Sequence, residues 1–78
     1  MEYMKIYNYT VIFDPVKEGG FNVSVPAIPE ICTFGQTLKE AKEMAADAIK
    51  CYIESAIRAH EPIPEDHAPS IDKIAVHV

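Results

Sequence analysis

Seventy-eight residues leave room for one domain, 1–78, with a simple core, because a chain this size buries only about 60–65% of its unfolded surface. With 49% hydrophobic and 24% charged residues it reads as a globular chain, and no apolar run approaches the roughly 20 residues that cross a membrane. Twelve acidic against seven scattered basic side chains give a formal charge of −5, which argues against nucleic acid and suits a soluble protein or one that docks on a basic protein partner.

Nothing resembles a signal peptide, so a cytoplasmic location is expected. There, Cys32 and Cys51 are expected to be reduced, partly buried packing residues, since they form no Cys-x-x-Cys pair.

In chain order, KIYNYTVIF over 5–13 alternates, with Tyr7, Tyr9, Val11 and Phe13 on one face and Ile6, Asn8, Thr10 and Ile12 on the other. That period of two predicts a strand, and the half-apolar second face predicts a central one. DPVKEGG turns the chain, Gly19 and Gly20 supplying positive φ. FNVSV then pairs back as a hairpin, with Phe21, Val23 and Val25 inward. Pro26 and Pro29 lack amide donors and must stop or bulge the ladder. Ile31–Phe34 makes a short third strand, and Gly35 permits the reversal into a helix.

TLKE at 37–40 is a capping box, Thr37 accepting from the Glu40 amide and Glu40 reaching back to the Thr37 amide. The helix runs to His60, which suits the negative end of its dipole. Its apolar stripe is Leu38, Ala41, Ala45, Ala48, Tyr52 and Ala56, widened by Ile49, Ile53 and Ile57. After the Pro-rich acidic connector EPIPEDHAPS, IDKIAVHV alternates again and predicts a fourth strand.

The fold class is therefore α+β, β-β-β-α-β, a four-stranded mixed sheet of order 3-2-1-4 with one helix on one face. Ile6, Ile12, Phe34 and Ala75 would then face water on the other side unless another chain covers them, so a homodimer or higher oligomer is expected.

No catalytic set emerges. Ser24, Ser55 and Ser70 lack a nucleophile elbow, and His60, His67 and His77 read as solvated side chains. Glu65, Asp66, His67 and His60 lack zinc-ligand spacing, and Asp14, Glu18 and Glu43 lack the convergence a two-metal nuclease needs. No enzyme activity, metal or cofactor is expected.

GGFNVSVP, a second proline, then T-x-G-x-T-x-x-EA resembles the HicB-like antitoxin family. The match runs along Gly19, Gly20, Phe21, Val25, Pro26, Pro29, Thr33, Gly35, Thr37, Glu40 and Ala41, and extends over about positions 7 to 64. Two features depart from the family pattern. Glu30 and Ile31 stand where many such chains have Gly and Cys, with Cys32 one place later. Longer antitoxins also continue into an operator-binding segment, so with the sequence ending at Val78 direct DNA binding is not expected.

The resemblance implies a partial ribonuclease-H-like fold without catalytic acids. It also implies that the chain neutralises a small basic mRNA-cleaving HicA-type toxin by covering its active surface. Gly19, Gly20, Phe21, Pro26, Pro29, Gly35, Thr37, Glu40 and Ala41 read as structural motif residues, and Glu18, Asn22, Ser24, Glu30 and Gln36 as the partner-binding candidates. The alternatives are an orphan homo-oligomeric domain without a toxin and a metal-dependent nuclease on the same fold.

Overall fold

The computed structural model describes residues 5–78. Three short strands, β1 (Ile12–Pro15), β2 (Phe21–Ser24) and β3 (Cys32–Gly35), precede one long helix, α1 (Leu38–Arg58). The sheet order is β1-β2-β3 and both pairings are antiparallel. The architecture is α+β, with α1 packed on β3 and β2.

The β1–β2 hairpin closes through Val16 N–H to Gly20 O (2.9 Å) and Gly19 N–H to Val16 O (2.9 Å). Gly19 and Gly20 sit at φ +107° and +90°, where a side chain would be strained, so the Gly-Gly pair is what lets the chain reverse here.

Between β2 and β3 the chain turns twice in succession. Ile28 N–H donates to Val25 O (2.9 Å) and Ile31 N–H to Ile28 O (3.0 Å), which places Pro26 and Pro29 each at the second position of a β-turn. Proline's fixed φ suits that position. The three-residue spacing of the prolines thus makes two fused turns, sharing Ile28 as a completely buried corner.

The core has two parts. Val23, Ala41 and Ala45 form one, flanked by Val11, Phe13 and Phe21. Val25, Ile28 and Ile31 form the other, flanked by Tyr9, Ala48, Ile49 and Tyr52. Small residues set the helix-to-sheet distance: a Cβ added at Gly35 would overlap the backbone N and Cα of Ala41 and lie 2.8 Å from its Cβ.

Thr37 caps α1 by accepting from Glu40 N–H at 3.1 Å, while the Glu40 carboxylate takes the Gln36 amide (2.6 Å) in place of the expected Thr37 amide. At the other end Glu61 N–H bonds Ala56 O and His60 N–H bonds Ile57 O, a Schellman closure with His60 at φ +55°. His60 is thus the left-handed residue beyond the helix and not a partner in its last turn. Because that conformation disfavours a side chain, His60→Gly is expected to stabilise the fold by up to about 1 kcal/mol, read as a rise in the urea midpoint at constant slope.

Several expectations are corrected. No fourth strand forms over 71–78: that segment has no regular structure and Ile71, Ile74, Val76 and Val78 are 76–115% exposed. The sheet is accordingly antiparallel throughout rather than mixed, and β1 lies at an edge rather than the centre. Residues 5–11 carry no strand pairing, because Pro26 turns β2 away just past the Ser24–Ile12 pair. The third strand is shifted one residue on, to Cys32–Gly35. Leu38 (43% exposed) and Ile57 (53%) overhang the stripe in which they were placed, and both cysteines are exposed rather than partly buried. No helix among the described residues is long and apolar enough to cross a membrane.

Candidate protein-binding surface

With α1 on one side, the strand pleat sends alternate side chains to the other. Two rows cross that outer face, Ile12–Ser24–Cys32 and Asp14–Asn22–Phe34, as the register dictates. Asp14, Asn22, Ser24, Cys32 and Phe34 are exposed and Ile12 is half-buried. The Phe34 ring lies over Gly20, where an added Cβ would come within 2.8 Å of Cε1. The result is a small plane with one aromatic, a thiol and short polar groups, able to dock on another surface.

The five partner-binding candidates divide among three places. Asn22 and Ser24 lie side by side along β2 on the outer face. Glu18 is exposed in the hairpin turn, and Gln36 lies beside the same turn, its Nε2 3.9 Å from the Cβ position of Gly19. Glu30 occupies the third position of the second proline turn and faces α1 instead. The Tyr52 phenol is pushed above its ordinary value first by burial and then by the charges of Glu30 and Glu61.

The acids considered for metal chemistry are also separated. Asp14 leaves the sheet on the outer face, Glu18 sits in the turn, and Glu43 is exposed on α1 behind the sheet. Among the described residues no group of three His, Cys, Asp or Glu side chains is placed to hold a metal ion.

Two features escaped the sequence reading. An apolar groove of about 900 Å3 runs between residues 5–13 and the C-terminal half of α1, with Tyr7, Tyr9, Val11, Ile49, Ile53 and Ile57 in its walls. It lies where α1, seated on β3 and β2, leaves the β1 flank uncovered. The connector after the helix is also tied down. Tyr9 Oη donates to Pro64 O (2.5 Å), and Asp66 accepts from Thr10 N–H (2.7 Å) and from the Thr10 hydroxyl (3.0 Å). Sequence separations of 55 and 56 residues leave no local signal for these contacts.

The Thr10 amide bond, more than any other contact, holds the Asp66 carboxyl below its ordinary value. A depressed carboxyl contributes its tether fully above the unfolded value of about 3.9, and the tether is lost as pH falls through the lower folded value. Exchange protection of the Thr10 amide is therefore expected to persist through neutral pH and decline only below about pH 4. Asp66→Asn should remove that acid-side decline from the exchange profile.

Comparison with known proteins comes from the whole chain. The family model described as HicB_like antitoxin of bacterial toxin-antitoxin system matches residues 9–77. UPF0150 protein Ta0767 of Thermoplasma acidophilum is 44% identical over 69 residues, covering 88% of this chain and 96% of that one. UPF0150 protein ssr1765 of Synechocystis sp. is 37% identical over 62 residues, 80% of this chain and 78% of that one. Antitoxin HicB 1 of Photorhabdus laumondii is 46% identical over 61 residues, 78% of this chain but only 39% of that longer protein. No solved structure gives a significant match.

Proposed function

Because the chain belongs to the HicB-like antitoxin family of bacterial toxin–antitoxin systems, we propose that it binds a small basic mRNA-cleaving toxin of the HicA type and covers its active surface. It does so in the cytoplasm through a single domain over 1–78, without catalysis or cofactor. The observation that carries this reading is the outer sheet face, uncovered by the helix and flanked by Asp14 and Glu18 in a chain of net charge −5. Asn22 and Ser24 would make the central contacts, with Glu18 and Gln36 at the hairpin end and Glu30 at the opposite rim.

The chain also associates with itself in this proposal, as a homodimer or larger oligomer. Sedimentation as an 8.7 kDa monomer would refute that part. In the assembled form the sheet completes the 3-2-1-4, partial ribonuclease-H-like arrangement. Self-association without any toxin is the second reading, and the aliphatic side chains exposed over 71–78 favour it specifically.

The test is RNA cleavage by a co-encoded small basic protein with and without excess of this chain. Cleavage is expected to stop, and to resume as salt is raised, since complementary charge is screened. Asn22→Lys with Ser24→Lys should weaken association at least about tenfold, because like charges across an interface cost several kcal/mol. Unchanged cleavage with a folded excess of the wild-type chain overturns the proposal.

A further inference from the structure

We propose that residues 71–78 of one copy enter the groove beside β1 of a second copy and pair there as its fourth strand, the exchange being reciprocal. This rests on the self-association proposed above and is independent of any toxin. Three observations lead to it.

The first is an unused edge. Val16 N–H points at Gly20, so the amides of Asp14 and Ile12, in register with Asn22 and Ser24, also point at β2. Antiparallel pairing alternates, and the amides of Phe13 and Val11 therefore face the opposite side. No strand pairs with that side among the described residues, and an open edge of this kind is a template for another strand.

The second is complementarity between two parts of the same sequence. The groove walls include Tyr7, Tyr9, Val11, Ile49, Ile53 and Ile57. The segment 71–78 alternates, so Ile74, Val76 and Val78 share one face, and all three are at least 76% exposed. A strand laid along the free edge of β1 would turn that face into the groove beneath α1. Burying an Ile or Val side chain removes roughly 60–120 Å2 of apolar surface. Three on each of two exchanged segments, with the matching groove surface, come to roughly 700–1,400 Å2 before backbone pairing, which reaches the range of stable dimers.

The third is the direction the segment takes. Asp66 holds the Thr10 amide and Tyr9 Oη reaches Pro64 O, and residues 63–66 lie against the 5–9 run without entering the groove wall, so the connector is anchored on that run outside the groove. To reach its own groove the chain would have to double back across that run within residues 67–70. Every residue over 67–78 is exposed instead, in a molecule that extends 61 Å in one direction against 26 and 21 Å in the others. A second copy can receive the segment without that reversal, as in domain swapping.

The experiment uses the full chain with Cys32→Ser and Cys51→Ala, and a nitroxide attached at His77→Cys in one batch. That batch is mixed with a 15N-labelled, unspiked copy, and sedimentation is run in parallel. Broadening of the Tyr9, Val11 and Ile53 amides in the 15N copy is expected. It should disappear when Val76→Asp is added to both copies, with sedimentation falling to monomer and helical circular dichroism retained. A dimer without broadening between copies overturns the exchange and leaves self-association standing, whereas a monomer overturns both. A 15N, spin-labelled copy diluted into excess unlabelled chain reports contact within one molecule, and broadening of the same amides there overturns the exchange in favour of a segment folded onto its own groove.

Discussion

Gly35→Ala is expected to cost about 3 kcal/mol or more, most of the roughly 3–5 kcal/mol that a core of this size supplies. The clash is with backbone, since an added Cβ overlaps Ala41 N and Cα and no side chain can swing aside. Relief requires α1 to lift off β3, which opens the contact that buries Ala41 and Ala45 against Val23. Reciprocally, Ala41→Val should show the same class of defect, because Ala41 is fully buried at that crossing. Urea unfolding followed by circular dichroism checks both, and a Gly35→Ala midpoint within experimental error of wild type would contradict the packing described here.

The second large effect is at Ile28. It is completely buried although it lies in a connection, and it anchors the cluster with Val25 and Ile31. Ile28→Ala is expected to lose about 2–5 kcal/mol, and Ile28→Val only about 0.5–1.5, because cost follows the volume left empty. A graded series of this kind distinguishes a packed corner from a loop that merely tolerates an aliphatic side chain. Equal stability of all three forms would mean that the two proline turns close without it.

The local signals were the legible ones. Val23 and Val25 follow from alternation, Thr37 from the capping box, and Ala41, Ala45, Ile53 and Ala56 from helical spacing, and all lie where those patterns put them. Alternation fails to make a strand where it has no partner to act on. Lys5–Val11 alternates as well as any strand, yet pairing needs a neighbour and Pro26 removes it. Residues 71–78 alternate equally well, yet they follow a connector tied to Thr10 through Asp66 and lie exposed, away from the free edge of β1 in the same molecule. The left-handed turn at His60 leaves no signal in the sequence, because a Schellman closure normally announces itself with glycine.

The candidate surface was only partly legible. Strand parity gives the outward direction of Asn22 and Ser24, but the turn position of Glu30, which carries it to the helix side beside Tyr52, depends on how two β-turns fuse. The groove and the Thr10–Asp66 tether join residues far apart in the chain, and periodicity says nothing about such meetings.

The placement of the two thiols gives the molecule a built-in footprint. Cys32 opens onto solvent on the outer face at the β3 edge of the open sheet plane, and Cys51 does so from the helical layer behind it. A maleimide therefore modifies both positions in the free chain, while anything lying across the plane shields the first and leaves the second as an internal standard. Counting labels by mass, without a single substitution, would tell which layer a bound protein occupies.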